Sequence, residues 1–521
     1  MPNPDVEALW HYHETTKHSY QSVRTSGHYL DWANHPLPFK IYSDLEPIPL
    51  SRNWSGSNTD ALSAISSTGP LEPITRPLDL KTLATILFHA AGVTRRRSYP
   101  GGETCFRAAA CTGALYEIEL YLVCGPLPDL KAGVYHFNPA DFALRQLRSG
   151  DMRDVLARAT ANEPSVSQAP VTIVCTGTYW RNAWKYQART YRHFFWDNGT
   201  LLANLLAMAA ASCLPARLVM GFGDDDVNRL LDLNTQREVA ISLVPLGREA
   251  ELFPESSAPL EPLNYPIAPY SKREVDYPLM RQAHEASCLM NVEEVKDWRG
   301  RSPVILEPAP TGRIVDLKIL PTTDLPRESI EQVIVRRGST RQFARLPIRF
   351  EQLSTLLVHA TQGIPADFLE PFGTRLNDLY LIVNAVEGLP SGVYYLHRDR
   401  PRVELLKEGL FREQAGHLGL DQGLPSDASV AIFFLADLKA ILERYGNRGY
   451  RAAQTEAGIL GGNIYLGAYA HRLGATGLTF YDDEVTDFFS PHAAGKSAIF
   501  LTAVGVAAKR HLHVANPLLT Q

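Results

Sequence analysis

"KYQARTYRHFFWDNGTLLAN" (residues 185–204) and "RYGNRGYRAAQTEAGILGGN" (444–463) stand 259 positions apart and spell one pattern twice. Between 186 and 216 that offset keeps 11 of 31 residues: Tyr186, Arg189, Tyr191, Arg192, Gly199, Leu201, Asn204, Ala209, Ala211, Leu214 and Ala216. Ordinary composition gives roughly two matches by chance. The agreement runs outward in both directions. "AGVYHF" (132–137) answers "SGVYYL" (391–396), "GFGDDDVNRLL" after 221 answers "FYDDEVTDFF" after 480, and "AISLVPLG" (240–247) answers "AIFLTAVG" (498–505). The chain reads as a tandem duplication.

Each repeat has the same order of elements. An amphipathic helix ("LKTLATILFHAAG", "FEQLSTLLVHATQG") precedes a β-rich stretch ("YEIELYLVCG", "DLYLIVNAV") and a hairpin ending at GVY. A strand ("PVTIVCTG", "VAIFFLAD") then leads into a long helix rich in small residues, and a last β-stretch closes the unit. Helices set among antiparallel-type strands predict an α+β fold rather than a doubly wound parallel sheet. The expected division is a first domain over 1–250, a connector over 251–300 and a second domain over 301–521. The connector joins a proline-rich stretch, "ELFPESSAPLEPLNYPIAPYS", to a helix spaced on Leu279, Met280, Ala283 and Ala286.

At 521 residues, 45% hydrophobic and 21% charged, this is an ordinary globular composition too long for one core. A net charge of −5 gives no electrostatic reason to expect nucleic acid or an anionic membrane as partner. The most apolar run, "LLANLLAMAAASCLPARLVMGF" from Leu201, is broken by Asn204, Pro215 and Arg217, so a buried core helix is expected and not a membrane span. The N-terminus shows no signal-peptide pattern. Six scattered cysteines lack CxxC or metal-like spacing, so reduced thiols, no metal and a cytoplasmic location are the expectation.

"IVRRGSTRQF" (334–343) gathers Arg336, Arg337, Ser339 and Arg341 around one glycine. Such a cluster is either a solvated basic face or a phosphate clamp of guanidinium forks and a hydroxyl. The R-x-S-x-R-x-F stretch, followed by a helix of "P-I-x-x-x-x-L-S-x-L-L" type, resembles the nitroreductase-like flavoprotein superfamily. "YHETTKHS", "RAAACTGALYEIELYL", "GVYHF", "WKYQARTYRHFFWDNG" and "ERYGNRGYRAAQTEAG" resemble its SagB/ThcOx branch of azoline-oxidising dehydrogenases. The likeness spans about 10–250 and 270–510, both repeats.

That resemblance implies FMN bound between two copies of the domain, here both in one chain as an intramolecular pseudo-dimer. It implies a phosphate clamp of Arg337, Ser339 and Arg341, with Lys509 and Arg510 either adding cations or forming a solvated basic tail. In the first repeat the nearest clamp equivalent is Lys17-His18-Ser19, a weaker set. The opposing loop, Pro-Ser-x-Gly in the family, reads Cys111-Thr112-Gly113 in the first repeat and Pro371-Phe372-Gly373 in the second. The two sites should therefore differ, the preferred one pairing the Arg337 clamp with Arg107, Cys111, Thr112 and Gly113. Gly477, Leu478 and Thr479 fall where the family's backbone amides face flavin N5.

Lys185 and Tyr186 occupy the place of a catalytic Lys-Tyr pair in azoline-oxidising relatives. A desolvated lysine can serve as a base near neutral pH with a phenol beside it. Arg444 and Tyr445 replace them in the second repeat, and arginine stays protonated. The other reading of both pairs is structural. Arg189/Arg448, Arg192/Arg451 and Asp197/Glu456 are expected as buried ion pairs fixing the domain interface. Cys111 reads as a small residue filling a serine slot rather than a redox thiol, and His89 and His359 as core or interface residues. Two function classes stand. One is an FMN-dependent oxidoreductase of a small molecule or modified peptide, acting by azoline-type C–N dehydrogenation or by NAD(P)H-driven nitro or quinone reduction. The other is a catalytically silent flavin-fold scaffold.

Overall fold

The computed structural model describes residues 3–53, 56–67, 78–99, 102–249, 260–303 and 308–508. Its two halves are built alike. The first half holds a mixed-length antiparallel sheet in the spatial order Pro47–Pro49, Ala143–Ser149, Gly133–Asn138, Ile118–Cys124, Val171–Thr178, Glu238–Leu246. The second half repeats it as Arg313–Asp316, Arg402–Glu408, Gly392–His397, Asp378–Val383, Val430–Ala436, Ser497–Gly505, with Gly474–Leu478 added at the edge. The central strands are buried end to end, which is why they are spelled in runs such as "IELYLVC" and "VAIFFLA" rather than in alternation.

The offset found in the sequence is kept in space. Gly133–Asn138 and Gly392–His397, Ala143–Ser149 and Arg402–Glu408, and Tyr179–Tyr186 and Leu438–Tyr445 are all 259 residues apart. The long helices Thr190–Ala211 and Arg448–Ala470 run through the centre and cross each other at Gly199 and Gly458. A Cβ on Gly199 would stand 2.5 Å from the Gly458 Cα, and one on Gly458 would stand 2.7 Å from the Trp196 carbonyl oxygen. Two backbones can meet this closely only where both residues lack a side chain. The helices are buried nearly all round, and the small residues of the sequence pattern mark the contact.

Reciprocal ion pairs lock this crossing. Arg189 and Arg192 of the first half bind Asp482 of the second, at 3.1 and 2.6 Å. Arg448 and Arg451 of the second half bind Asp224 of the first, at 2.5 and 2.8 Å. All six side chains are buried. The expectation that the repeated arginines fix the interface is met, but Asp197 and Glu456 are not their partners. Asp197 accepts from Thr112, and Glu456 accepts from Leu376 and Asn377, each tying down its own half. The acids that do pair sit at the N-termini of the short helices Asp224–Leu230 and Asp482–Phe489.

The helices that cap these pairs extend the duplication beyond what the sequence reading found. Arg192 donates to the His13 carbonyl and to Thr16 Oγ1, at the end of helix Glu7–Thr15. Arg451 donates to the His284 carbonyl and to Ser287 Oγ, at the end of helix Pro278–Ala286. His18 N donates to Asp482 as Leu289 N donates to Asp224. Helix 278–286, expected as part of the connector, thus holds in the second half the place that helix 7–15 holds in the first. Among the described residues no helix is long and apolar enough to cross a membrane.

Candidate functional site

The cleft between the halves is assembled from four segments. Helix Ile330–Arg336 ends at Arg337, whose guanidinium reaches across to the first half and donates to the Ala108 carbonyl from Nε and Nη2, at 3.0 and 2.8 Å. It has no carboxylate partner among the described residues, and its remaining Nη1 makes no hydrogen bond there. Ser339 Oγ lies 3.2 Å from the Tyr465 hydroxyl, which also accepts from Gly477 N at 2.5 Å. Because the phenol oxygen already accepts the glycine proton, its own proton is free for Ser339, leaving the serine hydroxyl able to donate outward. Arg341 is exposed and makes neither an ion pair nor a hydrogen bond among the described residues. A half-buried guanidinium held by carbonyls, an exposed one without a carboxylate partner and a hydroxyl are a set of donors that could hold an anion.

The opposite wall comes from the first half. Cys111 leads into the turn Thr112–Ala114, where Gly113 has φ 66°. A Cβ on Gly113 would stand 2.9 Å from the Tyr186 hydroxyl, so glycine is needed for the phenol to lie over this turn. Thr112 is fixed from beneath, its amide and its hydroxyl both donating to Asp197 at 2.9 Å. The Cys111 thiol lies 3.3 Å from Asp197 and 3.4 Å from Glu117. Burial, then the charges of Asp197 and Glu117, push this thiol well up from its ordinary pKa, which holds it protonated and unreactive. Burial and the neighbouring Glu117 push the Asp197 carboxyl up in turn. Arg107 is buried behind this loop, donating to the Ile118 and Pro38 carbonyls.

Lys185 and Tyr186 end helix Tyr179–Tyr186 at the mouth of the same cleft. The Lys185 ammonium lies 5.2 Å over the Tyr186 ring and has no carboxylate partner among the described residues. Burial, then the Arg341 charge, holds its pKa below the usual lysine value. Burial also raises the Tyr186 phenol, so the hydroxyl keeps its proton. The Tyr186 ring packs edge-on against His193 at 4.6 Å, and burial keeps His193 neutral. Loop and Lys-Tyr pair of the first half and the Arg337 segment, more than 150 residues further on, are therefore brought together.

Other expected site residues fare differently. The Gly477 amide is taken by Tyr465, so of the three nominated amides it is not one free to face a ring. Leu478 and Thr479 are half-buried beside it, and Thr479 Oγ1 is buried without a partner. Lys509 and Arg510 lie outside the described residues. Lys17-His18-Ser19 is not the first half's clamp. Lys17 is spent on Glu14 and Asp483, and the His18 backbone binds Asp482. Pairing of Ala61 N with Glu328 O and of Ile330 N with Thr59 O makes helix Ala61–Ser66 the partner of helix Ile330–Arg336. In sequence, "SSTGPLEP" (66–73) then falls opposite "VRRGSTRQ" (335–342), with no cation at any clamp position.

The second copy of the cleft is narrowed by segment 364–369 and keeps a cavity of about 650 Å³ lined by Ser67, Leu206, Arg217, Arg248, Leu369 and Phe372. Segment 364–369 lies along the strand-like stretch 216–219, with Leu218 N donating to Pro365 O and Asp367 N to Leu218 O. Asp367 accepts from Met220 N and Gly221 N, so the amides corresponding to 477–480 are already bonded. Tyr445, the counterpart of Tyr186, gives its hydroxyl to the Phe368 carbonyl, and Arg444 faces solvent. Sequence reasoning missed residues 364–369, although the substitution of Phe372 for a small loop residue marked this half as altered.

The nitroreductase family profile matches residues 75–248 and 334–491, one match in each half. A candidate nitroreductase of Methanocaldococcus jannaschii is 28% identical over 171 residues, 32% of this chain and 85% of its own length. The crystal structure of a candidate nitroreductase from Anabaena variabilis superposes with a TM-score of 0.75 at 26% identity, covering 96% of this chain and 99% of that one. The two-domain architecture is thus shared along the whole length.

Proposed function

The chain belongs to the nitroreductase family, and on that premise we propose that it is an FMN-dependent oxidoreductase of the SagB/ThcOx type with a single flavin held between its halves. The residues of the first-described cleft fit such a cofactor. Arg337, Arg341 and Ser339 would take the phosphate dianion, and the Thr112–Gly113 turn and the 478–479 backbone would border the ring. The second cleft suits it less well: no cation stands at the clamp positions in sequence, its Arg217 is paired with Glu370, and the Leu218, Met220 and Gly221 amides are bonded to 364–369.

The observation that carries the reading is the Lys185–Tyr186 pair: a lysine without a carboxylate partner, its pKa lowered, beside a protonated phenol. When bound, FMN supplies a two-electron acceptor for a hydride leaving a carbon next to nitrogen. In its neutral form the Lys185 amine would take the proton that leaves with the oxidation, and Tyr186 would orient the heterocycle by donating its hydroxyl proton. Thr112, pinned by Asp197, keeps the loop from shifting as charge moves through the cleft. NAD(P)H-driven reduction of a nitro group or quinone would leave Lys185 without a task, so the pair favours C–N dehydrogenation of an azoline or similar heterocycle.

An anaerobic visible spectrum tests both parts. The purified chain should have the absorption of an oxidised flavin, and a thiazoline-containing peptide should bleach it. Bleaching by NADPH alone, unaffected by Lys185→Arg, would make the protein a reductase instead.

A further inference from the structure

The second cleft suits a phosphate-bearing flavin poorly, yet a hollow remains there. Its cavity of about 650 Å³ falls within the span of small-molecule sites, roughly 300–1,000 Å³. The walls stand where those of the first cleft stand. Ser67 belongs to the segment opposite the Arg337 clamp in sequence, and Phe372 to the loop that answers Cys111–Gly113. Most of the lining is apolar. Leu206 and Ala210 come from the end of the long helix Thr190–Ala211, Leu214 from just after it, and Ile364, Leu369 and Phe372 from the second half. Phe372 is 49% exposed although it lines the cavity. The tip of its ring rests against Gly363, where a Cβ would stand 2.7 Å from it. The ring is thus seated on one side and bare on the other, a surface on which a flat molecule stacks.

The charges of the lining define the class of occupant. Arg217 is paired with Glu370 at 2.7 Å and faces Glu163 at 3.8 Å. The other cation of the lining is Arg248, which is exposed. Two guanidiniums therefore meet two carboxylates, and no net charge remains to draw in a phosphate. The Gln168 side-chain amide also lines the cavity and makes no hydrogen bond among the described residues, so it offers a donor and an acceptor. We propose that this cavity is a second binding site, for a flat, largely apolar and uncharged molecule that stacks on Phe372 and bonds the Gln168 amide. Such an occupant bridges the two halves, with the helix end at Leu206 and Ala210 on one side and residues 364–372 on the other. The site stands whether or not the first cleft holds flavin.

N-phenylnaphthylamine, an uncharged flat aromatic that fluoresces on leaving water, is the probe. It is titrated into the full chain in the presence of excess FMN, and one equivalent should bind per chain. Ala210→Trp fills the cavity and should abolish that binding. Phe372→Ala, a change at an exposed side chain, should weaken it by about two- to tenfold, the scale of one aromatic contact. Melting curves accompany both variants, and Phe372→Ala decides the matter where Ala210→Trp does not fold. Anilinonaphthalene sulfonate, which adds an anionic group to the same rings, should bind more weakly than the uncharged probe. Absence of probe binding, unchanged binding in Phe372→Ala, or tighter binding of the sulfonate overturns the proposal. So does displacement of the probe by rising FMN, which would put it in a flavin cleft.

Discussion

On the proposed reading, Arg337 would serve the fold and a ligand together. Two of its donors hold the Ala108 carbonyl across the interface, and the third points away unpaired. Arg337→Ala should weaken FMN binding by about 1.5–3 kcal/mol, the scale of a hydrogen bond to a charged group, read as a rise in the dissociation constant on titration. Unchanged retention would return the cluster to a plain interface role. Lys185→Arg keeps the charge but removes the base, copying Arg444 of the second half. It should abolish turnover of a C–H donor with flavin still bound, whereas surviving turnover would make Lys185 structural. These residues were legible because chemistry restricts them to a few types: three cations around a glycine, a lysine beside a tyrosine. Gly477 was less legible, since a backbone amide has no signature in sequence and a distant phenol, Tyr465, claims it.

Among the elements, the two long helices decide the assembly. Their crossing leaves no room for a Cβ at Gly199 or Gly458, so Gly458→Ala should destabilise the protein by about 1–3 kcal/mol through overpacking. Gly423→Ala, where the nearest atom to a new Cβ is 3.7 Å away, should be close to neutral. Thermal melting of the pair measures the difference. The interfacial acids give a second handle. The paired arginines hold Asp224 at about 2 and Asp482 lower still, against an unfolded value of about 3.9. Their stabilisation is therefore complete above pH ~4 and is lost as pH falls toward the folded values. Asp224→Asn leaves two buried guanidiniums unpaired and should cost about 3–5 kcal/mol, with a flatter acid-unfolding curve. The repeated arginines were readable from their spacing, but their partners were not. A one-residue shift between "GFGDDD" and "FYDDE" sets Asp224 opposite Asp482, and nothing local tells which acid crosses the interface. The kinship of helices 7–15 and 278–286 was written only in the His-Glu pairs 13–14 and 284–285, too short to stand out.

At the scale of the whole molecule, duplication has let two copies of one site diverge while the interface stayed symmetric. The α+β tandem was legible because strand and helix spacing survive at a constant offset, whereas the narrowing of the second cleft was not. Pro365 and Phe368 act there through their carbonyls and Asp367 through its carboxylate, contacts that composition does not betray. The central claim is that one cleft binds flavin and the other, its amides bonded to residues 364–369, does not. A stoichiometric titration of flavin-stripped protein with FMN, followed by flavin fluorescence quenching, tests it most directly. The account predicts one FMN per chain, lost or weakened in Arg337→Ala. Saturation at two per chain, or no binding at all, would contradict it.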